Sequence, residues 1–147
     1  MEKFFAMKDK PETPKVGVGV VLRNSEGKIL LLLRNGSHGS GTWSLPGGHM
    51  ELGETFLDTC KREIKEETAI DIQSIGSVGL TNDIFKEEGL HYITLFFEGF
   101  YDNKMQVPIN MEKDKAKDMK WFTLKEIYEL KNVFSPLSQI LSNLEEL

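Results

Sequence analysis

The segment GHMELGETFLDTCKREIKEETAI, from Gly48 to Ile70, joins a glycine-containing loop to a run of acidic residues. From residue 55 to residue 68 apolar side chains recur at spacings of three and four, which predicts an amphipathic helix; they are Leu57, Cys60 and Ile64. Thr55 or Glu54 is the expected cap of this helix. One face of the helix is therefore expected to pack against a core.

The acidic residues of the segment fall on a different face of the same helix. At about 100° per residue, Glu63, Glu66 and Glu67 share an arc of roughly 100°, displaced from the apolar face. Adjacent carboxylates repel, and a hard divalent cation such as Mg²⁺ removes that conflict because it prefers oxygen ligands. The alternative is a solvated charged face on which neighbouring Lys and Arg residues are the partners.

The spacing of the whole segment separates these alternatives. Gly48 is followed after five residues by Glu54, after seven more by Arg62-Glu63-Ile64, after one more by Glu66-Glu67, and after one more by Ala69-Ile70. This pattern resembles the Nudix box at every specified position except the late glycine, where this chain has Ala69. Glycine is favoured there for its left-handed backbone and alanine can continue the helix, so the departure concerns the helix exit rather than metal chemistry.

The resemblance continues over most of the chain. The stretches KVGVGVVL, GSHGSGTWSLPGGHMELGET, HYIT and NMEKDKAKDMKWF resemble the MutT-like, nucleoside triphosphate diphosphatase branch of the Nudix hydrolase family. The implied fold is an α/β/α sandwich around a mixed β-sheet, of the α/β class. The implied reaction is Mg²⁺-dependent hydrolysis of a nucleoside triphosphate, in particular a deoxynucleoside triphosphate, to monophosphate and diphosphate. Hydrolysis of ADP-ribose or a nucleotide sugar is the alternative, and a catalytically silent binding module is a third.

The resemblance also implies roles for individual residues. The implied ligands of Mg²⁺, or of Mn²⁺ as an alternative ion, are Glu63, Glu67, Glu66 and the carbonyl of Gly48. Arg62 belongs to the catalytic set as a residue that orients a glutamate, and Glu54 supports it. Glu112, on a later loop, is the candidate general base, against the alternative that EKDK is only a charged turn.

Substrate contacts are expected on both sides of the glycine-serine loop, NGSHGSGTW, which spans Asn35 to Trp43. Arg34 ends a predicted strand beside this loop and is expected to contact substrate, unless it faces solvent. Trp43, Leu45 and Thr94 are the expected lining of a base pocket, although large aromatic side chains more often belong to a core. The three histidines have scattered spacings that make no zinc motif.

The spacing of apolar residues and the positions of turn-forming residues predict alternating strands and helices in one domain, residues 1–147. KVGVGVVLR and ILLLLR are predicted to form a hairpin around NSEGK, and two further strands are predicted on either side of KEEG, with Gly89 in the turn. A strand passing into a short helix is predicted at MKWFTLKEIYEL, and an amphipathic helix at SPLSQILSNLEEL.

Composition excludes several classes of partner. With 18 Lys and Arg against 23 Asp and Glu, the net charge of -5 has the wrong sign for a protein that binds a nucleic acid polymer. No apolar run approaches the roughly 20 residues of a membrane helix, and the single cysteine forms no internal disulfide. A cytoplasmic location is expected, with a nucleotide as substrate and, from the family resemblance, a homodimer.

Overall fold

Seven strands form two sheets in the structure, a computed structural model that describes residues 13–36 and 38–145. In the larger sheet the order is β4-β1-β6-β5, with ranges Gly47–His49 (β4), Lys15–Val21 (β1), Leu90–Phe100 (β6) and Ser74–Phe85 (β5). The pairing of β1 with β6 is parallel and the other two pairings are antiparallel, so this sheet is mixed. The predicted α/β class and mixed sheet are confirmed.

The smaller sheet is antiparallel. Its order is β3-β2-β7, with ranges Trp43–Ser44 (β3), Ile29–Arg34 (β2) and Ala116–Phe122 (β7). The end of β2 pairs with the start of β7 in this sheet. The glycine-serine loop, which follows β2, therefore lies near the loop before β7, residues 101–115. Both loops are thereby brought to one end of the molecule.

The predicted hairpin between β1 and β2 is correct for its turn and wrong for its strands. The Asn24 side chain accepts hydrogen bonds from the N–H groups of Glu26, at 3.0 Å, and Lys28, at 2.9 Å, and a single antiparallel bridge joins Arg23 to Ile29. Beyond that bridge the two strands separate into different sheets. The predicted hairpin of β5 and β6 does form, with Gly89 at φ 70° in its turn.

Helix α1 spans Phe56–Thr68 and confirms the helix predicted in the acidic segment. Thr55 is its N-cap and forms a capping box with Asp58, which satisfies two of the N–H groups that a helix leaves without partners. At the other end Ala69 is left-handed, with φ 65° and ψ 6°, and its N–H donates to the carbonyl of Lys65. Alanine therefore occupies the backbone conformation for which glycine is usually required.

Two short helices follow β7. Helix α2 spans Leu124–Glu129 and helix α3 spans Ser135–Ile140, and a 3-10 turn at Leu141–Asn143 continues α3. The amphipathic helix expected after residue 135 is thus a short α-helix with a 3-10 extension. In the part of the chain that the structure describes, no helix is both long and apolar enough to cross a membrane.

Two apolar clusters hold these layers together. Alternate residues of β2 point to opposite clusters: Leu30 packs with Cys60 and Ile64 of α1, whereas Ile29 and Leu31 pack on the α2 and α3 side. This alternation follows from the period of two in a strand. It places α1 on one side of the sheets and the short helices on the other, as in the expected sandwich.

Candidate active site

A cleft of about 710 Å³ lies between the start of the larger sheet, α1 and the two loops. All but one of the residues predicted for catalysis, metal binding or substrate contact line it: Arg34, Leu45, Gly48, Arg62, Glu63, Glu66, Glu67, Thr94 and Glu112. The structure therefore brings together residues that lie up to 78 positions apart in the sequence, from Arg34 to Glu112.

Glu67 is the most deeply buried carboxylate of the cleft wall. Its Oε1 accepts a hydrogen bond of 2.9 Å from the N–H of Gly47 in β4. The pKa of Glu67 is raised to about 8, mainly by burial; the Gly47 N–H and Lys115 oppose the increase, and the nearby carboxylates of Glu63 and Glu112 add to it. The positive charges near Glu67 therefore do not compensate the negative charge of its ionised carboxylate.

Glu63 lies one helical turn before Glu67 and shares this environment. Burial raises its pKa, hydrogen bonding to Arg62 opposes the increase, and the charges of Glu66 and Glu112 add to it. Glu66, by contrast, has a side chain that is 50% exposed. On the acidic face of α1, the Glu67 side chain is thus buried and the Glu66 side chain is exposed to solvent.

Arg62 connects this wall to the loop before the helix. Its Nε and Nη2 donate to the two carboxylate oxygens of Glu54, at 2.7 and 2.9 Å, and its Nη1 donates to Glu63 at 2.7 Å. Nη2 also donates to the carbonyl of His49 at 2.8 Å. Hydrogen bonding from Arg62 is the largest cause of the lowered pKa of Glu54, about 2. Arg62 therefore joins the Glu63 carboxylate to Glu54 and to the backbone of His49.

The two glycines of β4 allow close approach of different neighbours, β1 at Gly47 and α1 at Gly48. A Cβ at Gly48 would lie 2.3 Å from the carboxylate of Glu63, and a Cβ at Gly47 would lie 1.9 Å from the carbonyl oxygen of Val18. Gly47 therefore excludes a side chain because it faces backbone, whereas a Cβ at Gly48 would displace the Glu63 carboxylate. The close approach places the backbone of Gly48 directly beside the carboxylate of Glu63.

The loop before β7 forms the opposite wall of the cleft and is attached to the end of α1. The N–H groups of Ile109 and Met111 donate to the carbonyls of Thr68, at 2.9 Å, and Glu67, at 3.1 Å. These bonds satisfy carbonyls that the helix end would otherwise leave without partners. They hold the following residue, Glu112, at the cleft.

Lys115 is the cation of this wall. Its Nζ lies 3.4 Å from Oε2 of Glu112, and the charge of Glu112 is the main reason that the pKa of Lys115 is raised. Lys115 also opposes the increase in the pKa of Glu67. Across residues 13–36 and 38–145, no three His, Cys, Asp or Glu side chains are close enough to hold one metal ion by themselves.

Arg34 lies at the end of β2 and is largely buried in the cleft. Its guanidinium carbon is 4.1 Å from the centre of the Phe134 ring, and its Nε donates to the carbonyl of His38 at 3.2 Å. Burial lowers the pKa of Arg34, and the charge of Glu67 is the largest opposing influence. Arg34 thus brings a positive charge into the same cavity as the buried carboxylates.

Trp43 is the predicted site residue that the structure does not bring to the cleft. Its pairing with Leu33 in β3 turns the indole into the core, where it is 8% exposed and lies edge-on to Phe122 with ring centroids 5.0 Å apart. The next residues, Ser44 and Leu45, do line the cleft. Its expected place in a base pocket was therefore wrong, because the indole is buried in the core against Phe122.

An aromatic group lines the cleft at the Arg34 end, and the sequence interpretation missed it. The group, called the aromatic chamber below, consists of His38, Phe85, Tyr92 and Phe134. The His38 ring lies 4.6 Å from Phe85 and 5.4 Å from Phe134 in edge-on contacts, and His38 Nδ1 is hydrogen-bonded to Glu88. Tyr92 is stacked on His49 at 5.3 Å with an interplanar angle of 17°.

A family model, the NUDIX domain, matches residues 13–144, which includes every element described above. The chain belongs to the NUDIX family. The predicted family assignment and the predicted fold are thus confirmed. Among solved structures, the MutT NUDIX hydrolase from Burkholderia pseudomallei has a TM-score of 0.82 at 24% identity, and the likeness covers 91% of this chain and 100% of that one.

Curated relatives that this chain is similar to are named for activities on different molecules. The ADP-ribose pyrophosphatase of Methanocaldococcus jannaschii is 33% identical over 84 residues, which are 57% of this chain and 49% of that protein. The 8-oxo-dGDP phosphatase NUDT18 of Danio rerio is 34% identical over 80 residues, 54% of this chain and 23% of that protein. This chain spans 21 to 39% of the length of several curated relatives that it matches.

NUDIX enzymes generally use a divalent metal, typically Mg²⁺. The donors at the α1 end of this cleft fit such an ion, because they are hard oxygen donors in surplus over the local cations. Two observations support this fit. The pKa values of Glu63 and Glu67 are raised, and Gly48 leaves space for the Glu63 carboxylate.

Proposed function

We propose that this cleft hydrolyses a nucleoside triphosphate, in particular a deoxynucleoside triphosphate, to monophosphate and diphosphate with Mg²⁺. The observation that carries the proposal is one cavity of about 710 Å³ that is lined both by the acidic face of α1 and by Arg34 with the aromatic chamber. A nucleotide has the matching asymmetry, with a polyphosphate at one end and a flat base at the other.

The carboxylate end provides the site for the phosphates. Between them, Glu63, Glu66, Glu67 and the Gly48 carbonyl would hold two or three Mg²⁺ ions, with waters and phosphate oxygens as the remaining ligands; Mn²⁺ would occupy the same sites. When bound, the metal neutralises charge that spreads over the nonbridging oxygens and lowers the pKa of a coordinated water. An acidic protein can thereby bind an acidic substrate.

The side chains around this end have separate tasks. Arg62 fixes the position of Glu63 through its bonds to Glu54 and to the His49 carbonyl. Glu112, which lies across the cleft on the anchored loop, is the proposed general base that accepts the proton of the attacking water. Arg34 provides positive charge toward the phosphates from the opposite side.

The aromatic chamber is the proposed base site, together with Leu45 and Thr94. Tyr92 and Phe85 offer flat surfaces for stacking, and Leu45 adds apolar contact. Stacking alone discriminates weakly between bases, since every base has two flat faces. Turnover of several nucleotides, rather than of one, is therefore expected.

A screen with Mg²⁺ tests the reaction class. Nucleoside triphosphates, ADP-ribose and nucleotide sugars are incubated separately, and the products are separated by chromatography. The proposal requires faster turnover of a triphosphate than of ADP-ribose or a nucleotide sugar. Preference for ADP-ribose would replace the proposed substrate by that of the Methanocaldococcus relative.

Matched variants connect the reaction to the cleft. Glu63→Gln and Glu67→Gln are expected to remove most turnover, because an amide lacks the charge of a coordinating carboxylate. Glu129→Gln, on the exposed side of α2, is the control. Unchanged turnover in both cleft variants would contradict the assignment of the metal ligands.

A homodimer is proposed as well, in line with the family resemblance. The surface that supports it is a ridge of exposed apolar residues on the loop before β7: Met105, Val107, Ile109 and Met111. Exposed apolar ridges of this kind are typical of protein interfaces. Light scattering is expected to give a dimer that Val107→Glu dissociates, and a wild-type monomer at high concentration would refute the proposal.

A further inference from the structure

Asn110 has an unusual position in the cleft wall. It lies on the loop before β7, between the two residues whose N–H groups bind the carbonyls at the end of α1. The residue lines the cleft together with Glu67, Glu112 and Lys115. Its backbone is therefore fixed beside the acidic end of the cavity.

The orientation of the Asn110 side chain is fixed by one hydrogen bond. Its Nδ2 donates to the carbonyl of Ala116 at 2.9 Å. The reverse orientation would place two oxygens against each other, so the amide nitrogen belongs on the Ala116 side. The side-chain oxygen, Oδ1, then points away from Ala116.

Oδ1 of Asn110 is buried and accepts no hydrogen bond from any residue that the structure describes. Buried polar atoms in proteins almost always have a partner, and an exception calls for a ligand, a water or an ion. Among residues 13–36 and 38–145, Nε of Arg23 and Nε2 of His38 share this property. Arg23 Nε lies 3.3 Å from Glu98 in an ion pair, and His38 belongs to the aromatic chamber.

The surroundings of Asn110 indicate which kind of partner is missing. Five carboxylates line the cleft together with Asn110, against three cations, which are Arg34, Arg62 and Lys115. An amide oxygen is neutral and hard, so it adds a ligand for a cation without adding to the repulsion between carboxylates. Within the part of the chain that the structure describes, no three His, Cys, Asp or Glu side chains can hold an ion alone, so a neutral oxygen would supply a further donor.

We propose that Oδ1 of Asn110 is a direct ligand of a divalent cation in this cleft. The inference rests on the proposed function, because it concerns a cation of that reaction. It adds a ligand from outside the segment Gly48 to Ile70. It also gives a role to the bonds that attach the loop before β7 to α1. The anchoring bonds of Ile109 and Met111 hold the ligand in place.

Binding of Mn²⁺ without nucleotide, followed by electron paramagnetic resonance, tests the proposal. Asn110→Ala removes the oxygen and is expected to weaken Mn²⁺ binding by roughly ten- to a hundredfold, as the loss of a metal-site group typically does. Asn110→Asp keeps an oxygen and adds charge, so binding is expected to be retained or tightened.

A structural role for Asn110 predicts the opposite order. If the residue mattered only through its bond to the Ala116 carbonyl, Asn110→Asp would be the more harmful variant, because a carboxylate cannot donate that bond. Weaker Mn²⁺ binding in Asn110→Asp than in Asn110→Ala would therefore overturn the proposal. Equal binding in Asn110→Ala and the wild type, or no Mn²⁺ binding in the wild type, would also overturn it.

Gln106→Ala is the matched control for loop anchoring. The Gln106 amide binds the backbone of Asp71 through bonds of 2.7 and 3.1 Å, on the same loop but outside the cleft. Mn²⁺ binding in this variant is expected to stay within about twofold of the wild type. A loss equal to that of Asn110→Ala would show that loop attachment, rather than a ligand, is responsible and would refute the proposal.

The result is separable from the fate of the proposed reaction. If Mn²⁺ binding follows the predicted order but no nucleotide is hydrolysed, the ligand assignment stands and the proposed function fails. If nucleotides are hydrolysed but Asn110→Ala binds Mn²⁺ normally, the proposed function stands and the ligand assignment fails.

Discussion

Replacing Glu67 by glutamine is expected to stabilise the metal-free protein while it abolishes hydrolysis. The ionised carboxylate is disfavoured in the folded protein, since burial is the main cause that raises its pKa from the ordinary 4.5 to about 8. Glutamine has no charge to bury, and its side-chain oxygen can still accept the bond of 2.9 Å from the Gly47 N–H. The substitution therefore removes a cost and keeps the local hydrogen bond.

The sign of the pH dependence follows from proton binding. Between pH 4.5 and about pH 8 the folded protein retains a proton on Glu67 that the unfolded chain has released. The free energy of unfolding of the metal-free wild type therefore falls as the pH rises through this window, and the full penalty is present above it. Because each pKa unit corresponds to about 1.4 kcal/mol, the upper limit of the penalty is about 5 kcal/mol.

The measured gain is expected to be smaller than this limit. Movement of side chains and entry of water reduce the cost of burying a charge, so about 1 to 3 kcal/mol is expected for Glu67→Gln at pH 9. Urea unfolding in the presence of a chelator, at pH 6 and pH 9, measures it. The gain should be clearly larger at pH 9.

Glu66→Gln is the matched control for this experiment. Its side chain lies next to Glu67 on α1 but is 50% exposed, so its substitution should change stability by less than about 0.5 kcal/mol. Added Mg²⁺ is expected to stabilise the wild type more than Glu67→Gln. Equal stability of wild type and Glu67→Gln at pH 9 without metal would refute the reasoning.

Further predictions concern the ends and neighbours of α1. Ala69→Gly is expected to stabilise the protein by about 0.5 to 1 kcal/mol in urea unfolding, because φ 65° is costly for alanine; a loss of stability would contradict the left-handed cap. Gly48→Ala places a Cβ 2.3 Å from the Glu63 carboxylate, so hydrolysis should fall at least about tenfold with an unchanged circular dichroism spectrum, and normal turnover would show that the contact is unimportant. Arg62→Lys loses the two-pronged contact to Glu54, so kcat should fall about ten- to a hundredfold, and a variant with wild-type kcat would exclude an orienting role.

The parts of the fold that local signals specify could be predicted from the sequence. Helix α1 forms over the predicted stretch because its apolar spacing and its Thr55 cap lie within one short segment, whereas the left-handed conformation of Ala69 was not predicted. The hairpin of β5 and β6 forms for a similar reason, since Gly89 supplies the turn between two adjacent strands. In both cases neighbouring residues carry all the information.

Features that depend on distant contacts could not be predicted in this way. The strands around Asn24 separate into two sheets because β6 and β7 compete for them as partners, and those strands lie far along the chain. Trp43 faces the core because β3 has only two residues and its register is set by β2. The aromatic chamber combines His38 with Phe134, and no spacing rule relates two residues so far apart.

The products of hydrolysis in oxygen-18 water test the central claim most directly. Purified protein is incubated with a deoxynucleoside triphosphate and Mg²⁺, and the products and their label are followed by mass spectrometry. Water attack within the cleft should give monophosphate and diphosphate in one step, with a single labelled oxygen between them. Accumulation of nucleoside diphosphate and labelled orthophosphate as first products would contradict the account.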